Sequence, residues 1–479
     1  MKLYKFVVLI FFIYSCNAKI AQKLEHSLSE LCLLDSTQSF CNLLSTAETT
    51  TDTNTSTDTS TATTTSLSLS NVTYIGESGG SVTSKSITAD SSSNFYINGT
   101  SDFALSNSTG YTASSTNTLV AQVDSSMNVS WITLYGTGSS LLGRTITTNS
   151  TYVYQPIYSS SGFLLNLYNT SGSEFLSAFN YLNIFSTSSS FETIALVDEN
   201  ALYIVGAISA NFTGLGNCGA ATLTGSSDQY IVRYTQPPSG GSDCQSIHLL
   251  GHSGTFVNPQ AAVIDTANSA IYVSGNSSYN FSTSTSSSLT LSYLAKYDLS
   301  GNFQWAKSIT GSQNQNYGVA LDSSGNVYIT GLTTGTIEGQ TYSSGTGGTP
   351  FVASYDSSGN QRWVTVINGS SSVTTYSSFP SGGIAIESDV LYVAGTTNGT
   401  INSVATTEVA AGDVFLLQID TSGNVSNVSY ALSSSTAGPV VTGIKVISSK
   451  AYVLGYTFGD IGSFTVPTTN STLFLARFE

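Results

Sequence analysis

The stretch YGVALDSSGNVYITGL (residues 317–332) decides how the rest of the chain is read. YGVALD has the alternation and β-branched content of a strand, SSGN is a tight reversal, and VYITGL is a second strand. Gly325 and Asn326 stand where a sharp turn needs a positive φ. A Gly/Thr-rich loop follows, then PFVASYDSSGNQRWVTVI (350–367), which repeats the plan with a second SSGN. Four strands joined by two short turns and one long loop make an antiparallel sheet.

The centre of this unit recurs along the chain. NFYING (94–99), ALYIVG (201–206), AIYVSG (270–275), NVYITG (326–331), VLYVAG (390–395) and KAYVLG (450–455) share a Tyr followed three residues later by Gly, and STYVYQ (150–155) is a weaker copy. The repeated tyrosines are Tyr96, Tyr152, Tyr203, Tyr272, Tyr328, Tyr392 and Tyr452. Their spacing of 51 to 69 residues suits one four-stranded unit each. Seven sheets of this kind bury both faces by stacking radially, so the fold expected is all-β, a seven-bladed β-propeller. A linear β-solenoid is the competing architecture, but its rungs are shorter.

The last unit holds only three strands, in GIKVI (443–447), AYVLGY (451–456) and LFLARFE (473–479). SNVTYIGESGG (70–80) aligns with the fourth strand of the first unit, MNVSWITLYGTG (127–138), placing Tyr74 in the position of Trp131. A strand around Val72–Ile75 is therefore expected to pair with Phe474–Phe478 and close the ring. The sequence leaves open whether that strand comes from the same chain or from a neighbour.

GVALDSSGNVYITGLTTG (318–335) with FVASYDSSGNQRWV (351–364) resembles the SBBP-type β-propeller repeat, and the likeness extends over about residues 71–479. That resemblance implies a propeller in an extracytoplasmic setting. It supplies no catalytic residues to carry over.

Ahead of the ring lie three further zones. MKLYKFVVLIFFIYSCNA (1–18) reads as a secretory signal peptide: basic at Lys2 and Lys5, apolar from Phe6 to Tyr14, small at Ala18. Residues 19–44 carry Ile20, Leu24, Leu28, Leu31 and Leu34 at helical spacing, which predicts a short helical arm that needs a partner surface. Residues 45–70 are rich in Ser and Thr, lack the apolar content to build a core, and read as a tether. No later stretch is long and apolar enough to span a bilayer, so the mature chain is expected to have no membrane span.

Only 9 % of residues are charged and the net charge is -15. Four arginines in an acidic chain argue against nucleic acid and anionic membranes as partners. Export makes the cysteines a disulfide set, expected as Cys32–Cys41 and Cys218–Cys244, although the second pair asks a loop to reach the opposite end of its blade. Export also gives meaning to the Asn-x-Ser/Thr triplets at Asn54, Asn71, Asn98, Asn107, Asn128, Asn149, Asn169, Asn211, Asn276, Asn280, Asn368, Asn398, Asn424, Asn427 and Asn470.

The residues able to do chemistry are sparse. SYDSSGNQRW (354–363) comes near a sialidase turn but has one residue too many between Asp356 and Gly359. Arg233 and Arg477 share a third-strand position with Lys296 on separate blades, Arg362 is on a fourth strand, and Arg144 precedes a first strand. The aspartates at 90, 198, 265 and 322 end first strands and those at 124, 298, 356 and 420 end third strands, which reads as turn capping rather than calcium binding. Trp131, Trp305 and Trp363 fall at one repeat position, with His248 aligned to them, and read as packing between blades. No catalytic, cofactor or metal set is expected.

These features point to a secreted, glycosylated, non-enzymatic propeller that builds an extracellular coat, matrix or filament, meeting copies of itself through the N-terminal arm. A surface lectin or adhesin using the long second-to-third strand loops to bind extracellular glycans or proteins is the alternative, and a glycoside hydrolase ranks last.

Overall fold

The structure is a computed structural model that describes residues 66–479 apart from 111–115, 137–141, 144, 160–161, 171–174, 181–193, 199–200, 213–217, 236–243, 341–347, 370–372, 375–382, 398, 402–403, 405–411 and 435–437. The signal segment, the helical arm with Cys32 and Cys41, most of the tether, Asn54, Arg144 and Asn398 lie outside the described residues.

Seven antiparallel sheets form the seven blades of a β-propeller. Blade five shows the plan: Asn314–Leu321, Val327–Thr333, Thr349–Tyr355 and Gln361–Val366, paired in that order. Blade one (Val82–Ala89, Phe95–Ser101, Asn117–Val123, Val129–Tyr135), blade three (Ile194–Val197, Ala201–Ile208, Asp228–Thr235, Cys244–Leu250) and blade four (Val257–Asp265, Ala270–Asn280, Thr285–Asp298, Phe303–Ser308) follow it. In blade six the first strand is Ile384–Glu387, followed by Val390–Thr397, Asp413–Asp420 and Val425–Ala431. First strands abut the strands of the preceding blade, so apolar clusters run between adjacent sheets instead of lying within one.

The repeated Tyr-x-x-Gly has a geometric cause. First strands carry a β-bulge at Ser84/Ser86, Pro259/Ala261, Asn316/Gly318 and Val441/Gly443, each facing the motif glycine: Gly99, Gly275, Gly331 and Gly455. The bulge pushes a carbonyl against that glycine from one side, while at Gly275, Gly331 and Gly455 a third-strand ring covers it from the other. At Gly331 a Cβ would fall on the Gln315 carbonyl and the Phe351 ring. Three residues earlier in each motif, Tyr96, Tyr203, Tyr272 and Tyr328 are fully buried.

Blade two corrects one expectation. Its first strand is split into Leu142–Gly143 and Thr147–Thr148, both pairing with Tyr152–Ser159, and Gly162–Asn169 and Phe175–Asn180 complete the sheet. Tyr154, not Tyr152, holds the repeat position, because Tyr154 faces Thr147 two residues before the capping Asn149 just as Tyr96 faces Thr88 two residues before Asp90. Asn149 Nδ2 donates to the Tyr154 hydroxyl at 3.2 Å, and Tyr154 is fully buried.

Blade seven comprises Val440–Ile447, Lys450–Thr457, Thr472–Phe478 and, outermost, Leu69–Ile75. Tyr74 faces Phe474 and Asn71 faces Arg477, so Asn71 occupies the row of Trp131 and the sequence alignment is three residues out of register. Tyr74 is held in its own row by its hydroxyl, which donates to the Phe464 carbonyl (2.8 Å) and accepts from Ile461 N–H (3.0 Å). Tyr430 does the same for Ile401 and Val404 in blade six, which makes it the true counterpart of Tyr74. The last residues assigned to the tether belong to the ring, since Ser68 exchanges two backbone hydrogen bonds with Glu479.

The closing strand belongs to the same chain as the blade it completes. Six residues, Gly76 to Ser81, join it to blade one.

Cys218 and Cys244 are joined, with Cα atoms 5.5 Å apart. Cys244 faces Tyr234, at the opposite end of the third strand from Asp228, so the loop holding Cys218 returns along the blade. Blade seven makes the same return without a covalent bond, bringing Gly462 against Leu69, the residue equivalent to Cys244. Gly331→Ala is expected to destabilise the ring by about 2 kcal/mol or more through overpacking, read as a lowered melting temperature. Cys218→Ser with Cys244→Ser is expected to cost about 3 kcal/mol for a 26-residue loop in the same measurement.

Candidate functional site

The aspartates are engaged within their own turns. In blade five the N–H groups of Ser358 and Asn360 donate to Asp356 Oδ1 (both 2.9 Å), and Asn360 Nδ2 donates to Oδ2 (2.9 Å). Gly359 N–H closes the turn onto the Asp356 carbonyl at 3.0 Å, with Gly359 at φ +85°. Asp90, Asp124, Asp298, Asp322 and Asp420 repeat the pattern. Ser93 and Met127 take the left-handed position in blade one, at φ 63° and 73°, where the other turns have glycine.

Burial raises the Asp356 carboxyl, but the amide of Asn360 and the N–H groups of Asn360, Ser358 and Gly359 outweigh it and hold it below its ordinary value. Asp90, Asp298 and Asp420 are lowered by the same balance. Tyr96 and Tyr328 donate their hydroxyls to Asp90 and Asp322 at 3.0 and 2.8 Å. Burial pushes Tyr96, Tyr272 and Tyr328 up to about 12.

The tryptophans, His248 and Lys296 join one blade to the next, while Arg362 braces its own blade. The Trp363 ring covers Gly423 and its Nε1 donates to the Thr421 carbonyl at 2.8 Å. Trp305 covers Gly359, and Trp131 stacks on Tyr168 with centroids 6.4 Å apart. In blade three the tryptophan row is held by Ser246, which faces Arg233, while His248 two residues on still covers Gly301. Lys296 lies over the Tyr272 ring and donates to the Ser357 carbonyl at 2.9 Å. Arg362 donates to the Tyr328 hydroxyl and to Ser354 Oγ, and Arg233, Arg362 and Arg477 sit on blades three, five and seven. Among the described residues no group of three or more His, Cys, Asp or Glu is placed to hold a metal.

The described sequons are not equivalent. Asn107, Asn128, Asn211, Asn368 and Asn424 are exposed, while Asn71, Asn149, Asn169, Asn276, Asn280, Asn427 and Asn470 are half-buried. Asn98 is fully buried and its Nδ2 donates to the Thr145 carbonyl at 2.7 Å, so the folded chain has no room for a sugar there. Its burial comes from blade two, which lies 47 residues along the chain and gives no local signal.

The long loops begin with an element that sequence reasoning missed. Thr333, Thr397 and Thr457 each donate a hydroxyl to the carbonyl two residues on, and Ile337, Ile401 and Ile461 then insert, fully buried, against the entry to the same blade. The repeated T-x-x-x-I spacing was the available signal. Blade one keeps the design with Ser101 and Leu105. Beside it, where closing strand and blade one meet at the outer rim, lies a cleft of about 350 Å³ walled by Tyr74, Glu77, Leu105, Asn107, Val129 and Trp131.

With this geometry in hand, residues 304–337 match the family model of the SBBP β-propeller repeat. A search of curated protein sequences finds no match. Among solved structures the chain is similar to a catalytically inactive virginiamycin B lyase from Staphylococcus aureus with quinupristin, at 10% identity over 85% of this chain and 98% of that one, TM-score 0.48. It is also similar to the endosialidase of phage phi92 (12% identity, 85% of this chain, 69% of that one, TM-score 0.42). The WD40 domain of Toxoplasma gondii coronin is a third such structure (8% identity, 86% and 88%, TM-score 0.43).

The titrating groups set the pH range of the ring. The lowered aspartates contribute stability that is present above about pH 4 and lost as pH falls through their folded values; the raised tyrosines contribute stability present below about pH 10 and lost as pH rises toward 12. Circular-dichroism melts are expected to show a plateau between these limits and a falling melting temperature on both sides. Asp356→Ala, which orphans three donors, is expected to cost about 1–3 kcal/mol at neutral pH.

Proposed function

We propose that this chain is a secreted, N-glycosylated, non-enzymatic propeller that serves as a structural subunit of an extracellular coat, matrix or filament, meeting copies of itself through its N-terminal arm. The observation that carries this reading is the deployment of its reactive side chains. The described turn acids bond inside their own turns, and Trp131, His248, Trp305, Trp363, Lys296 and Arg362 all bind the framework. What such a surface offers is hydroxyls, amides and attachment points for sugar. The leader, the Ser/Thr tether and the exposed sequons at Asn107, Asn128, Asn211, Asn368 and Asn424 support export and glycosylation.

A lectin or adhesin that binds extracellular glycans or proteins is the second reading. It is favoured by one feature, exposed His252 stacked on Tyr279 at 4.0 Å beside the extended loop of blade four. A glycosidase would need two acids facing each other across an opening at about 5–10 Å, free of other duties.

The assembly reading is tested by removing residues 19–65 while keeping the leader and the ring from Ser66 onward. The cut must spare Leu69–Ile75, without which blade seven loses its outer strand. Light scattering is expected to find oligomers of the full chain and monomers of the shortened one. An unchanged mass would remove the arm as the assembling element, and glycan-array binding that survives deglycosylation would favour the second reading.

A further inference from the structure

The cleft beside blade one has a counterpart elsewhere in the ring. In blade seven the loop turn Ile461–Phe464 is closed by Phe464 N–H on the Ile461 carbonyl, and the Phe464 side chain packs into the cluster holding Val72 and Ile461. Blade one repeats the turn, with Ser108 N–H on the Leu105 carbonyl, but Ser108 stands where blade seven has Phe464. The cleft is walled by Leu105 and Asn107 of this turn, by Tyr74 and Glu77, and by the fourth strand of blade one. Its volume lies at the low end of the roughly 300–1,000 Å³ of small-ligand sites, and its walls mix an indole and a valine with the Glu77 carboxylate. Val129 is 36% exposed.

The residue next to Ser108 is Asn107, exposed, lining this cleft, and the acceptor of the triplet Asn107-Ser108-Thr109. We infer that an N-linked glycan on Asn107 folds back into the cleft, so that its first sugars fill the seam between the closing strand and blade one. The inference rests on the secreted-glycoprotein reading above. In the attachment step Asn107 Nδ2 bonds to the anomeric carbon of a lipid-pyrophosphate-linked oligosaccharide, the carbon–oxygen bond to the pyrophosphate breaks, and the amide gives up one proton. A pyranose has an apolar face that suits exposed Val129 and hydroxyl and acetamido donors that suit Glu77, whose Oε1 already accepts from Ser106. The glycan thereby covers the seam between the closing strand of blade seven and blade one.

The test uses the full chain secreted from a eukaryotic host that adds N-glycans, with occupancy mapped by mass spectrometry. Under native conditions the Asn107 glycan is expected to resist endoglycosidase about tenfold more than the glycan on exposed Asn368, and to lose that protection when the protein is denatured. Thr109→Ala, and separately Asn107→Gln, are expected to speed amide exchange at residues 74–77 and 129–132 and leave other blades unchanged. Equal release at the two sites with no change in exchange overturns the inference and leaves the glycoprotein reading standing. Occupancy elsewhere but not at Asn107 does the same, whereas a chain with no occupied sequon overturns both.

Discussion

A single carboxylate closing a five-residue turn is the interaction on which this ring depends. Asp356 gathers two N–H groups and one side-chain amide, and in doing so fixes a reversal that leaves the Ser357 carbonyl and the flat face of Gly359 pointing outward. The preceding blade takes hold of both, through Lys296 and Trp305. The same handover links Trp363 and Thr365 to the turn of blade six, Tyr203 and Ser246 to that of blade four, and Tyr96 to that of blade two. Local turn chemistry and ring assembly are thus one event seen at two scales.

That coupling explains why so much of the fold is legible in the residues. The turns announce themselves as DSSGN, the strand cores as Tyr-x-x-Gly, and the two motifs together give blade number and strand order. What stayed hidden are features that depend on register. The likeness of NVTY to NVSW puts Tyr74 in the tryptophan row where the pairing puts Asn71, and an aromatic ring puts His248 where the pairing puts Ser246. A broken first strand moved the tyrosine of blade two from position 152 to 154. The burial of Asn98 is invisible for a different reason, because its partner, Thr145, is brought in by another blade. The loop plugs Ile337, Ile401 and Ile461 were written in the sequence but masked by the Gly, Ser and Thr around them.

The surface that remains is unusual in its chemistry. Among the described residues, most of the strong hydrogen-bonding side chains face inward or along the seams, and the ring meets solvent through hydroxyls and amides with few charges. Long loops whose roots are pinned by a buried isoleucine and a threonine clasp can vary beyond that point without disturbing the sheets beneath.

Ser68 and Glu479 exchange backbone hydrogen bonds, which brings the first and last residues of the ring side by side. Topologically the propeller is therefore almost a closed covalent circle with one nick in it, placed after the third strand of a blade. Joining those two residues and cutting at any of the exposed links between blades would give circularly permuted chains with the same hydrogen-bond map. Because the break in the ring falls inside a blade, the hydrogen bonds of blade seven tie the first ring strand to the last.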